Sequence, residues 1–191
     1  VNLLKSTDDG YSWEIVSSFN NIRHIHCVQY DPFSDMIWVG TGDRDEECGI
    51  FFSDDGENWN SIGSRSQLFR TMSLLFTEDY IYWGTDTPSK QSFICRYVRK
   101  NGKVEKLVST NGPVYYSSLV GDSIMVFSTG VEGNSEGKSA FWSNVACIWA
   151  SSDGMRWEVI KCWKKDLWPY ILGYGRILFA NGMSESNNLY F

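Results

Sequence analysis

His24 and His26 are the only histidines in this 191-residue chain, and they stand two positions apart in the run HIHCVQYD. In an extended strand, side chains at that spacing share a face. Two imidazoles side by side admit three kinds of chemistry. With Asp43, Asp45 or Glu46 from the acidic loop GDRDEEC they would bind a divalent metal. With Tyr115 or Tyr116 nearby they would exchange protons with a sugar as general acid and base. Hydrogen-bonded to neighbouring strands, they would be structural. The acidic loop admits a calcium ion, a general acid or a solvated surface, and its spacing is not that of a known calcium loop.

Cations and rings add to this set. Arg23 and Arg70 each open a strand-like run, and paired guanidinium groups suit carboxylates, as in sialic or uronic acids. They suit the carboxylates of GDRDEEC equally well. Phe141 and Trp142 sit in the insertion GVEGNSEGKSAFWSN, where exposed rings would stack on sugars or fold back onto the scaffold. Tyr170, in WPYILGYG, joins Arg23, Arg70 and Trp142 as a candidate substrate contact.

The elements that must hold these residues read as β structure. The chain is 42% apolar and 16% aromatic, a globular composition rich in residues that favour pleated surfaces. A net charge of −6 argues against nucleic acid or an anionic membrane as partner. No apolar run approaches the ~20 residues of a spanning helix, and no N-terminal segment reads as a signal peptide. Of five cysteines, Cys27, Cys95 and Cys147 fall in apolar runs, which predicts buried free thiols in place of a disulfide framework.

The pattern repeats. STDDGYSW at 6–13 returns as FFSDDGENW at 51–59 and as SSDGMRW at 151–157, and Trp13 and Trp59 are 46 residues apart. A fourth turn, RKNGKVEKLV at 99–108, keeps the Asn-Gly signal without the aspartates. Between the turns, MIWVGTGD, YIYWGTDT, SIMVFSTG and ILFANGM occupy one slot of each unit. HIHCVQYD, FRTMSLLF, VYYSSLVG and WPYILGYG precede them, and CGIFFSDD, SFICRYVR, ACIWASSD and NNLYF follow. Each unit therefore predicts three strands, a turn and a fourth strand, and a period of ~40–50 residues is that of a β-propeller blade.

The turns resemble Asp-box (BNR) repeats, pattern S-x-D-x-G-x-[ST]-W, of sialidase-like propellers. Ser6, Asp8, Gly10, Ser12 and Trp13 match throughout. In the second copy Asp54, Gly56 and Trp59 match; in the third Gly154 and Trp157 match, with Ser152 in the aspartate's place. The expected role is structural: the carboxylate accepts turn amides, glycine supplies positive φ, and tryptophan packs between blades.

The resemblance implies an all-β propeller domain over 1–191, of about four blade equivalents. Leftover strands at both ends point to a segment of a larger 6–8-bladed ring, completed by further chain or a second copy. Innermost strands would begin at Arg23, Arg70, Val114 and Trp168, where a propeller gathers function. Two functions follow. One is a carbohydrate-active or glycan-binding propeller, a glycoside hydrolase or polysaccharide lyase acting on acidic sugars, with His24, His26, Tyr115 and Tyr116 as candidate catalytic residues. The sialidase Arg-Ile-Pro motif is absent, and neither the Tyr-Glu nucleophile pair nor the aspartic acid of that family can be placed. The other is a non-catalytic protein-interaction scaffold. No cofactor is expected, and a divalent metal at His24 and His26 stays an open alternative.

Overall fold

A computed structural model describes residues 1–87, 90–121, 123–132, 144–169, 172–184 and 187–191. The chain divides into two compact units, Val1–Arg70 and Thr71–Phe191.

The first unit holds an antiparallel pair, β1 (Asn2–Lys5) and β2 (Glu14–Ser18). A four-stranded antiparallel meander follows, in the order β3 (Ile25–Asp31), β4 (Met36–Thr41), β5 (Gly49–Ser53) and β6 (Asn60–Ser64). The second unit opens with another such meander, of β7 (Leu74–Phe76), β8 (Tyr80–Gly84), β9 (Phe93–Val98) and β10 (Lys103–Ser109). The third has β11 (Val114–Val120), β12 (Ile124–Val131), β13 (Val145–Ser151) and β14 (Glu158–Lys164). These are the strands that the repeat predicts. The second and third strands of each sheet carry continuous apolar runs because both faces are covered, as with Trp38, Val39 and Ile50, or Ile81, Trp83 and Ile94. In the outer strands β6, β10 and β14 no residue is fully buried. Among the described residues no helix is long and apolar enough to cross a membrane.

The turns between third and fourth strands are closed by local hydrogen bonds. In the first, Ser12 donates its N–H to Asp8 Oδ1 (2.8 Å) and its hydroxyl to Oδ2 (2.6 Å), while Gly10 N–H reaches Ser6 Oγ (2.8 Å). In the second, the carboxylate is Asp55 and not Asp54: it accepts the N–H groups of Glu57 (2.7 Å) and Asn58 (2.8 Å) and the Ser53 hydroxyl (2.9 Å). In the third, the carboxylate is Asp153, where the spacing had put Ser152: it accepts from Met155 and Arg156 (2.8 Å each) and from Ser151 (3.1 Å). Counting back from tryptophan misplaces both aspartates, since Ser53 and Ser151 lie one residue nearer their tryptophan than Ser6 does. Gly56 (φ +78°) and Gly154 (φ +68°) take left-handed backbone, and a Cβ on Gly154 would meet the Tyr82 hydroxyl at 2.1 Å.

The tryptophans differ. Trp157 is 7% exposed and packs on Phe127 (5.2 Å) and Tyr82 (6.1 Å), and Trp59 packs on Phe19 and donates to Ser17 Oγ. Trp13, in the turn of the two-stranded sheet β1–β2, is 61% exposed.

Two expectations are corrected. Cys147 and Cys162 form a disulfide, since β13 and β14 pair in a register that sets them opposite each other with Cα atoms 4.1 Å apart. Cys27, Cys48 and Cys95 are free thiols, and burial pushes Cys95 up to about 12 and Cys48 to about 11, which keeps both protonated. The chain's end does not build a further antiparallel sheet. β15 (Gly175–Arg176) pairs with β12, β16 (Gly182–Ser184) adds in parallel to β11, and 187–191 is not a strand.

Candidate functional site

In the first meander, the start of β3, the β4–β5 loop and the segment after β6 lie at one end of the sheet, opposite the β5–β6 turn. Alternating strand direction alone forces this. The end so formed carries Arg23, His24, His26, Asp43, Glu47 and Arg70.

Asp43 is the centre of the group. Gly42 turns the chain into it at φ +134°, with Cys48 Sγ 2.7 Å from where a Cβ would stand. A 3-10 turn over Asp45–Glu47 follows, fixed where Thr41 donates its hydroxyl to the Glu47 carbonyl (2.8 Å). Gln67 Nε2 (3.0 Å) and Arg70 (3.1 Å) donate to the Asp43 carbonyl. The Asp43 carboxylate then meets four side chains. His24 Nδ1 lies 2.7 Å and Arg23 3.4 Å from Oδ2, and His26 Nε2 lies 3.4 Å and Arg70 3.3 Å from Oδ1. Burial alone would raise its pKa, but the His24 hydrogen bond and the charges of Arg70, His24 and His26 outweigh it and hold the carboxyl below its ordinary value.

Glu47 is buried, and Arg23 Nε donates to it at 3.1 Å. Its pKa is also lowered: the Arg44 amide and the Arg23 guanidinium outweigh burial. Both arginines therefore pair with the acidic loop, the second of the two outcomes that the sequence left open. With neutral imidazoles the group balances two cations against two carboxylates.

The two histidines are not equivalent. His26 is held inside with its side chain 8% exposed, whereas that of His24 is 61% exposed. His24 is thus anchored at Nδ1 with its outer edge in solvent, and no described residue bonds its Nε2. The ligand atoms of His24, His26 and Asp43 lie within 4.8 Å of one another, near enough for a metal. The two guanidinium groups on the same carboxylate oppose a dication there. Asp43, and not Asp45 or Glu46, is the acid that meets both imidazoles. Glu47 was not singled out within its loop, and Gln67 was not foreseen, because their partners are distant in the chain.

Tyr115 and Tyr116 lie in the second unit, on β11. Tyr115 is buried and donates its hydroxyl to Glu132, which also pairs with Arg176 at 3.2 Å. Tyr116 packs on Phe179 at 6.0 Å. Phe141, Trp142 and Tyr170 lie outside the described residues.

No family model and no curated protein matches the chain. Solved structures do. A GH74 enzyme of Niastella koreensis superposes with TM-score 0.61 at 19% identity, over 83% of this chain and 26% of that one. The GH74 xyloglucanase of Xanthomonas campestris gives TM-score 0.59 at 14% identity, over 84% and 27%. A chain of a nidogen/laminin complex gives 0.54 at 13%, over 78% and 52%. The likeness establishes the fold, a segment of a β-propeller built of four-stranded antiparallel blades. This chain spans about a quarter of the length of the GH74 proteins.

Proposed function

We propose that this chain is part of a carbohydrate-active propeller that cleaves acidic polysaccharides by β-elimination, with His24 transferring the proton. One observation carries the reading: Asp43 binds His24 Nδ1 at 2.7 Å while the imidazole stands exposed. A carboxylate on one ring nitrogen fixes the tautomer and stabilises the imidazolium that forms when the other nitrogen takes a proton.

The charge states favour elimination over hydrolysis. A glycoside hydrolase needs a carboxylic acid of raised pKa and a second carboxylate across the scissile bond. Asp43 and Glu47 are both held ionised and occupied by donors. Elimination needs a base at the carbon beside a uronate carboxylate and a cation on that carboxylate. His24 is the base, and Arg23, half exposed, is the cation. The imidazole takes the C5 proton, its electron pair forms the C4–C5 double bond, and the C4–oxygen bond breaks. The imidazolium returns the proton to the leaving oxygen. His26 and Arg70 hold Asp43 in place.

The same reading takes the three turns as Asp boxes of the sialidase-like (BNR) kind. Its support is the shared serine–aspartate–glycine hydrogen bonding around Asp8, Asp55 and Asp153. Glycans with acidic sugars are the proposed partners, and further blades complete the ring.

The test is the ultraviolet absorbance of unsaturated uronides after incubation with a panel of acidic polysaccharides. Product is expected, and His24→Ala is expected to lower its rate by about 10²–10⁴-fold. No product over the whole panel, or an undiminished His24→Ala rate, rejects the reading. A scaffold role would then follow, since a clasp that pairs every charge internally, as Arg23 and Arg70 are paired here, also suits a structural corner.

A further inference from the structure

β1 and β2 are joined by the Asp8 turn, so they fill the third and outermost places of a blade. Their sheet has two strands, and among the described residues no strand pairs with the other edge of β1. An open edge offers backbone N–H and C=O groups to a further strand. The face beside it is open as well. Val28 pairs with Val39 and Val39 with Phe51, so the three share one face of the first meander. Phe51 packs at 5.7 Å on Phe19, the residue after β2, so this is the face that β1 and β2 cover. The cover reaches β4, where Val39 is fully buried. It does not reach β3, where Val28 and Tyr30 on the same face are 50% and 58% exposed.

The complement lies in the second unit. By the repeat, WPYILGYG and ILFANGM hold the first and second strand places of a blade. Ile177 and Phe179 are buried in a cluster with Val126, Val131 and Ile148 of the third sheet. Leu178, between them, is 57% exposed, and Leu172 and Tyr174 are exposed too. β15 and β16 make ladders of two and three residues, and 177–181 between them belongs to no ladder. One stretch thus has an apolar side packed and its backbone outside any sheet. The other has a sheet edge open and an apolar floor uncovered. They are the inner and outer halves of one blade.

We infer that a second copy of this chain docks at this edge. Its 177–181 segment pairs antiparallel with β1, as second and third strands do in each meander, and the completed blade covers Val28 and Tyr30. Within one copy this pairing is not made. The occupant is a copy and not a foreign protein, because the edge, the floor and the strand that fits them belong to one repeat. Head-to-tail contacts either close or run on. Counted by blades, two copies give about eight, at the upper end of the range usual for propellers, so the contacts close at a pair. The inference shares the propeller fold with the proposed function and is independent of the elimination chemistry.

The test is the mass of the whole chain in solution by sedimentation equilibrium. Twice the 21.9 kDa of one copy is expected. Val28→Lys and Leu178→Lys each place a charge in the joint and are expected to weaken association by about tenfold or more. Both side chains are at least half exposed in the single copy, so both variants keep the circular dichroism of the wild type. Mixed in equal amounts, the two variants should associate more tightly than either alone, because a mixed pair holds one joint free of both lysines. A mass of 21.9 kDa at every concentration, an open series of larger species, association unchanged in both variants, or no gain on mixing overturns the inference. No polysaccharide enters this measurement, so absence of unsaturated product rejects the elimination chemistry and leaves the mass readable.

Discussion

Asp55 and Asp43 stand at opposite ends of the same four-stranded sheet, and both are held below the ordinary carboxylate pKa. The means differ. Asp55 is lowered first by the Asn58 amide, then by the Asn58 side chain and the Glu57 amide, all within three residues. Asp43 is lowered by His24, Arg70 and His26, which arrive from up to 27 residues away. A carboxylate bound by its own turn amides cannot exchange partners without unmaking the turn. One bound by long side chains can, as a ligand enters. The first arrangement staples a hairpin; the second can take part in chemistry.

The comparison is most exposed to change at Asp43. Asp43→Asn keeps the shape but removes the charge that orients His24, and is expected to slow uronide formation by about 10²–10⁴-fold, with Asp55→Asn unchanged in the same assay. Equal rates in the two variants would remove the distinction. Next in size is the turn tryptophan. Trp157→Ala opens a hole between Tyr82 and Phe127 and is expected to cost about 3–5 kcal/mol in denaturant unfolding, whereas the exposed Trp13→Ala should fall within about 0.5 kcal/mol of wild type.

Smaller, but more specific, is the choice between adjacent aspartates. Asp55→Ala should lower the thermal midpoint and Asp54→Ala should not, because only Asp55 accepts turn amides. The reverse order would restore the spacing counted from tryptophan. The mildest effect is that of acid. The folded chain binds a proton at Asp43 or Asp55 more weakly than the unfolded chain does. The stability each contributes is therefore complete above the ordinary value of 3.8 and lost as pH falls below it. The midpoint should begin to fall near that pH, less steeply in Asp55→Asn. Identical acid profiles would show that the turn carboxylate is already protonated or unbonded.

Much of this was legible in the chain. The repeat predicted the four antiparallel strands at the heart of each of three sheets, and the His24–His26 spacing put both imidazoles at one end of β3. What failed did so where a partner is chosen across the fold. Asp43 was one of three candidates that the sequence reading took from a loop of four acids, and only the path through Gly42 and the 3-10 turn selects it. Glu47 carried no local sign of its pairing with Arg23. Cys147 resembled other apolar-strand thiols until the β13–β14 register set Cys162 opposite.

The sequence alone determined the elements and their order. Short apolar runs and hydroxyl–aspartate–glycine turns act within a few residues, where the chain's own geometry decides the outcome. The tertiary structure decided the centre of the charged group, the disulfide and the parallel seat of β16. Each of these depends on which residues meet after strands have paired, and pairing register is settled by burial over whole sheets, not by any short stretch.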